Sequence, residues 1–356
     1  MKFSLFFEMQ IADPSRAGEA QTFHDCVAQA VLADELGYHS VWEVEHHGLY
    51  EYSHSSAPEV FLAFVAARTK RIRLGHGVTL LPHRYNHPIR IAERVATLDI
   101  LSGGRVSWGS GKSSSLVEQI AFENDLKSLH DQWLEALEMI PRMWSADVFS
   151  HEGRFFKVAP TQIIPKPVQQ PHPPMFAACS KPESAVAVGK LGLGALNFAL
   201  GSDDYLTQKV ADYRRAVAGA RPVGRQKNDW FACTPATLVL DDDLEACRHG
   251  LRGARFFSEA MARYYLSGTR PLGRLDVPRG FLSDADVEAA RAARNAPGSA
   301  VGVLVGDPAA ARETVERFVD IGVDELMMVM QMGTVPHELV MRSIRTFGEK
   351  VMPHFS

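Results

Sequence analysis

The chain has 356 residues, 46% of them hydrophobic and 22% charged, an ordinary globular composition that excludes disorder and allows a large core without staples. Lys and Arg total 38 against 42 for Asp and Glu, a formal charge of −4, so nothing points to nucleic acid or an anionic membrane as a partner. No run reaches the roughly 20 apolar residues of a membrane span.

The start, Met1 to Phe7 followed by Glu8 and Asp13, lacks the apolar core and small-residue site of a signal peptide. Cys26, Cys179, Cys233 and Cys247 are too scattered for a disulfide frame or a zinc site. Reduced thiols in a cytoplasmic protein are the expectation.

Short β-type runs alternate with helical patterns, the signature of a parallel sheet with crossover helices. Lys2–Phe7 reads as the first strand. Thr22–Leu36 follows as a helix, with Thr22 and Asp25 as a capping box and Gly37 as its stop. Ser40–Val44 is the second strand, Ala57–Thr69 a helix, Ile72–Leu80 the third strand. Pro88–Leu101 is a helix ended by Gly103 and Gly104, and Arg105–Trp108 is the fourth strand. A helix over Leu126–Trp144 leads into an aromatic, Pro-rich excursion from Val148 to Pro174. Strand five is Pro174–Ala178, then come a helix over Pro182–Leu191, strand six at Gly194–Phe198 and a helix over Asp203–Ala218. Strand seven reads as Trp230–Leu240 and is followed by a helix over Asp243–Leu266. Residues 267–300, rich in Gly, Pro, Arg and Ala, read as an insertion or lid. Asp307 and Pro308 open a helix that Gly322 closes, Asp324–Val329 is strand eight, and Pro336–Lys350 is the last helix. Eight strands, each followed by a helix, predict one (β/α)8 TIM barrel over residues 1–356, a core of roughly 250 residues plus insertions. A doubly wound sheet is the alternative, but no GxGxxG follows the first strand.

Barrel chemistry sits at the C-terminal ends of strands. Strand two ends in Trp42-Glu43-Val44-Glu45-His46-His47. Adjacent strand residues face opposite ways, so His46 and His47 do not easily share a metal; an acid–base group with a charged orienter and a structural polar cluster are the other readings. Gly75-His76-Gly77 inside strand three suggests a bulge or close approach of a ligand to the backbone. Gly109-Ser110-Gly111-Lys112-Ser113 imitates a phosphate loop, but Val106 stands where the first glycine is required. A small-residue loop with one cation and free N–H groups remains, as either a phosphate cradle or a solvated turn. Ser180 and Glu183 have capping-box spacing, and an anion at the same helix N-terminus is compatible with it.

These residues, together with His87-Pro88-Ile89-Arg90, Leu98 to Arg105, Gly322-Val323-Asp324 and Val351 to Phe355, resemble the bacterial luciferase-like flavin monooxygenase family, nearly end to end and in order. The resemblance implies a TIM barrel, usually dimeric, that takes reduced FMN from a separate NAD(P)H:flavin reductase and uses O2 to oxygenate a small organic substrate through a flavin C4a-(hydro)peroxide. It implies that His46 is the catalytic histidine, with Glu45 or His47 orienting it. It implies that Lys112, Ser180 and Ser184 hold the FMN phosphate, and that Gly75, His76 and Gly77 underlie the ring, with a non-prolyl cis peptide at Gly77-Val78. Departures are Lys112 where many members have arginine, Gly111 at a reactive cysteine position, and a 267–300 segment unlike the luciferase loop, so light emission and long-chain aldehyde use are not implied. Phe6, Glu8, Tyr50, Tyr52, His83, Phe198 and Trp230 are expected to line an aromatic substrate pocket. The alternatives are an F420-dependent oxidoreductase of the same fold, a non-catalytic flavin-binding subunit, and a zinc hydrolase on His46 and His47.

Overall fold

The computed structural model describes residues 1–294, 296 and 298–355. The chain runs β1 (Lys2–Phe7), α1 (Arg16–Leu36), β2 (Ser40–Glu43), α2 (Pro58–Arg68), β3 (Arg73–Leu80), α3 (Pro88–Ser102), β4 (Val106–Gly111), α4 (Leu116–Ala121) and α5 (Leu129–Ser145). It continues through β5 (Phe149–Glu152), β6 (Lys157–Thr161), β7 (Met175–Ala178), α6 (Pro182–Lys190), β8 (Gly194–Phe198), α7 (Asp203–Ala218), β9 (Phe231–Thr234), β10 (Ala236–Val239) and α8 (Asp243–Tyr265). It ends with α9 (Asp284–Ala293), β11 (Val303–Gly306), α10 (Pro308–Ile321), β12 (Glu325–Met328) and α11 (His337–Lys350).

Eight of these strands close a parallel barrel in the order β1-β12-β9-β8-β7-β4-β3-β2. The expected TIM barrel is therefore the fold. Short strands bury one face against the bore and the other against the helices, so both faces are apolar. Along β1, Phe3 meets Phe347 of α11 and Phe7 meets Phe61 of α2, while Ser4, between them in the alternation, bonds Glu325 on the neighbouring strand β12.

The helix boundaries follow local chemistry. α1 starts six residues before the expected Thr22, because Ser15 is the N-cap and its hydroxyl accepts from Gly18 N–H at 3.1 Å. Gly37 closes it at φ 84°, a left-handed conformation that glycine adopts without steric cost. Asp307 caps α10 through Ala310 N–H, with Pro308 in the first turn.

One expectation needs correction, and two segments gain internal structure. The run Trp230–Leu240 is two strands: β9 stays in the barrel and β10 leaves it to pair in parallel with β11. Pro235 stands between them and has no N–H to continue a ladder. The excursion after α5 forms an antiparallel hairpin of β5 and β6. The 267–300 segment contains α9, whose Arg291, with Arg294 just after the helix, pairs with Asp243 at the start of α8; Asn295 and Pro297 lie outside the described residues.

The bore is solid. Trp42 stands edge-on to Phe176 with ring centroids 5.1 Å apart, and a Cβ at Gly75 would lie 2.3 Å from two Trp42 ring atoms. Gly75 is thus the space Trp42 occupies. Gly75→Ala is expected to destabilise the protein by about 1–3 kcal/mol through overpacking, read from the midpoint of urea unfolding; an unchanged midpoint would mean that the bore has slack at this level.

Candidate active site

All barrel strands point their C-terminal ends to one rim, and the inward-facing residues there come from several strands. Glu8 follows β1 and is 1% exposed. His46 follows β2, and Glu118 lies on α4, the short helix after β4, at 0% exposure. Ser115 caps α4, accepting from Val117 N–H, and so holds Glu118 pointing back at the rim.

The three side chains meet. His46 Nδ1 is 2.8 Å from Glu118 Oε1, and His46 Nε2 is 3.6 Å from Glu8 Oε2. Tyr265, the last residue of α8, brings its hydroxyl to 3.0 Å from His46 Nε2. Glu118 also accepts from His47 N–H at 3.0 Å and from Ser113 Oγ at 2.5 Å. Tyr52 Oη donates to Glu8 Oε1 at 2.9 Å, while Glu8 Oε2 has no hydrogen-bond partner.

The electrostatics follow from this geometry. Burial pulls the His46 pKa down, but the Glu118 and Glu8 carboxylates reverse the effect and raise it to about 9. Glu118 pays a burial cost, yet the His46 charge and its donors hold it below the ordinary value. Burial pushes Glu8 up to about 7 against the pull of His46. Near neutrality His46 is therefore an imidazolium, with Nδ1–H donated to Glu118 and Nε2–H to Tyr265 Oη. The proton that exchanges most readily around pH 7 is on Glu8.

The other expected residues fall in distinct places. Glu45 does not hydrogen-bond His46; it accepts from Leu80 N–H and from the Asn86 side chain, both at 2.8 Å, and lies 3.4 Å from His47 Nε2. It braces the end of β3. His47 turns away from His46, beside Tyr85 and Phe122. His76 points outward from β3, where burial lowers its pKa to about 4 among Glu59 of α2 and Arg94 of α3, so its side chain is not at the rim. The β3–β4 register shifts between His76 and Thr79, and the Gly77-Val78 peptide is cis. Val78 then covers Gly111, where a Cβ would fall 2.5 Å from Val78 Cγ2. Trp230 is at the opposite end of the barrel, donating to Glu325. Tyr50 is exposed, and His83 bonds Gln132.

The loops after β4 and β7 are neighbours, because Ser110 pairs with Ala177. They carry the exposed Lys112 and Ser180. Ser184 is engaged locally: its hydroxyl accepts from Lys181 N–H and donates to Lys181 C=O. Lys181, not Ser180, is the N-cap of α6, so the Ser180–Glu183 capping box does not form. The donor set of a cation, a serine and a helix N-terminus suits a phosphate, and Phe6, which lies against Gly77, and Val78 add apolar surface to the barrel strands. These residues fit an FMN. No local pattern in the sequence marks Glu8, Glu118 or Tyr265 as partners of His46. Glu118 shares its capping pattern with any exposed helix, and Tyr265 sits 219 residues from His46.

A family model described as luciferase-like monooxygenase matches residues 1–325. The chain is 33% identical over 188 residues to the oxygenase component of a flavin-dependent trigonelline monooxygenase from Acinetobacter baylyi, covering 52% of this chain and 50% of that protein. It is 32% identical over 226 residues to an F420-dependent hydroxymycolic acid dehydrogenase from Mycobacterium tuberculosis, covering 62% and 61%. These matches thus span half to three-fifths of the relatives' own lengths. The crystal structure of the monooxygenase RslO1 from Streptomyces bottropensis is similar over 100% of both chains, with a TM-score of 0.83 at 27% identity.

The His46 imidazolium is expected to titrate near 9 by NMR. Its value lies above the ordinary 6.5, so the interaction stabilises the fold fully below that pH and is lost as pH rises through about 9. Glu118→Gln is expected to lower the His46 value by at least ~1 unit, since a hydrogen bond to a charged group is worth about 1.5–3 kcal/mol and one unit is about 1.4. An unmoved titration would remove Glu118 as the partner.

Proposed function

The chain belongs to the luciferase-like monooxygenase family, and from that premise we propose that it is an FMN-dependent monooxygenase. It oxygenates a small, mainly hydrophobic organic substrate and receives reduced FMN from a separate NAD(P)H:flavin reductase. The observation that carries this is the imidazolium of His46 held between two buried carboxylates at the barrel rim, beside loops whose donors suit a phosphate.

Reduced FMN supplies the electrons that activate O2 when bound. Every other task falls to the chain. Lys112 and Ser180 take the phosphate; a lysine grips it as a point charge without the paired contacts of an arginine. Phe6 and Val78 give an apolar bed. Glu118 fixes the ring by holding Nδ1–H, which leaves the Nε2–H, shared with Tyr265 Oη, as the proton His46 gives. Glu8 Oε2, lacking a partner of its own, returns the proton to His46. Tyr52, Tyr265 and Phe257 form an aromatic wall, with Tyr52 and Tyr265 edge-on at 5.6 Å, that keeps water from the reacting atoms. The segment after α8 closes over the rim: buried Glu51 accepts from Leu275 N–H at 2.6 Å and pairs with Arg279.

A second reading has a specific observation behind it. The similarity to an F420-dependent dehydrogenase suits hydride transfer, for which the same histidine–carboxylate group would move the proton. Side-by-side binding of FMN and F420, then aerobic turnover of a compound panel with NADH and a flavin reductase, separates the two. A product heavier by one oxygen supports the first, and O2-independent reduction of F420 supports the second.

On the monooxygenase reading His46→Ala should still bind FMN, while product formation drops by ~10²-fold or more and hydrogen peroxide release rises. Unchanged coupling would take His46 out of the reaction. Product yield should fall as pH rises through about 7, where Glu8 loses its proton, and Glu8→Gln should abolish that limb; a limb that persists assigns it to another group.

A further inference from the structure

Behind the turn that leaves β7 lies a buried cation. Lys209, on α7, is 3% exposed. Its Nζ donates to the carbonyl of Ser180 at 3.1 Å and to that of Cys179 at 3.4 Å. It forms no ion pair with a carboxylate among the described residues. The titratable groups it faces are the thiols of Cys179 and Cys233, both held neutral by burial, and Glu183 in the first turn of α6. Buried charges are ordinarily paired, and burial accordingly lowers the Lys209 pKa.

The two carbonyls show what the ammonium does locally. A trans peptide places C=O and N–H on opposite sides of its plane. Drawing the Cys179 carbonyl back toward α7 turns the N–H of Ser180 the other way, out of the turn. The next peptide is fixed likewise, and its N–H closes on Ser184 Oγ at 3.1 Å. The turn therefore presents the Ser180 amide and hydroxyl at the N-terminus of α6, a nine-residue helix, with the Lys209 ammonium directly behind them.

We propose that Lys209 is a positioning residue for an anionic group bound at this turn: it sets the Ser180 amide outward and supplies a positive charge whose partner arrives with the ligand. This rests on the reading of the turn as the phosphate end of a flavin site. It deepens that reading by explaining how the site tolerates Glu183, since the buried ammonium offsets a carboxylate that would otherwise repel a phosphate. Lys112 and Lys209 then act from opposite sides, one exposed on the surface and one buried in the protein.

The test compares FMN with riboflavin, which differs only in lacking the phosphate, by isothermal titration against the full-length protein. The wild type is expected to prefer FMN. Lys209→Met is expected to reduce FMN affinity on the order of tenfold, the scale of a charge at a partly buried helix terminus, while riboflavin affinity stays within about twofold of wild type. Lys209→Gln keeps a donor for the carbonyls and removes only the charge, and it decides the matter if the methionine variant does not fold. A preference for FMN that survives in both variants, or an equal loss for both ligands, overturns the role of Lys209 and leaves the phosphate reading intact. A wild type with no preference for FMN overturns both.

Discussion

One buried carboxylate ties the floor of this barrel together. Glu325, 1% exposed at the start of β12, accepts from Ser4 Oγ at 2.5 Å, Trp42 Nε1 at 2.8 Å and Trp230 Nε1 at 2.8 Å. These donors come from β1, β2 and the residue before β9, so a single side chain links four strands. A buried carboxylate is costly unless its oxygens are bonded, and here they are. The anchored indole of Trp42 fills the bore above it, and Gly75 leaves the room that the ring needs. With the bore filled at this level, the polar cluster of Glu8, His46 and Glu118 sits above it at the C-terminal rim.

The rim follows the opposite logic. Two carboxylates with almost no exposure share one imidazole, and the hydrogen bonds do not satisfy them evenly: Glu118 has three donors, while Glu8 keeps one oxygen without any. That imbalance separates two chemically identical groups, one held ionised and one poised near neutrality. The floor satisfies its carboxylate fully and the rim leaves one partly unsatisfied, with the same residue types.

The insertion between α8 and α10 connects this rim to the rest of the molecule. α8 ends at Tyr265 against His46, and the chain beyond it is fastened through Arg279 to Glu51, between β2 and α2. At the far end α9 is fastened through Arg291 and Arg294 to Asp243, the first residue of α8. Both fastenings are charged and partly buried, so the segment between α8 and α10 is tied to the body of the barrel at two points.

Much of this was legible in one dimension. Most barrel strands were legible as short apolar runs, whereas strand seven was not bounded correctly and β5, β6, β10 and β11 were not separated; glycine such as Gly37 or Gly322 marks the helix stop by its left-handed backbone. His46 was legible as an acid–base candidate because a polar run at a strand end is unusual. Its partners were not: Glu118 lies 72 residues away and Tyr265 lies 219, and no local pattern encodes a hydrogen bond between them. Trp230 read as pocket lining because periodicity gives the face of a strand and not which end of the barrel a residue occupies. The split at Pro235 was hidden for a related reason, since β10 finds its partner in β11 across the whole insertion. The sequence alone determined the element order, the barrel and the histidine, because those depend on short-range periodicity and capping. Only the closed tertiary structure decided the charges, because a pKa is set by burial and by the groups within a few ångströms, which closure brings from distant parts of the chain.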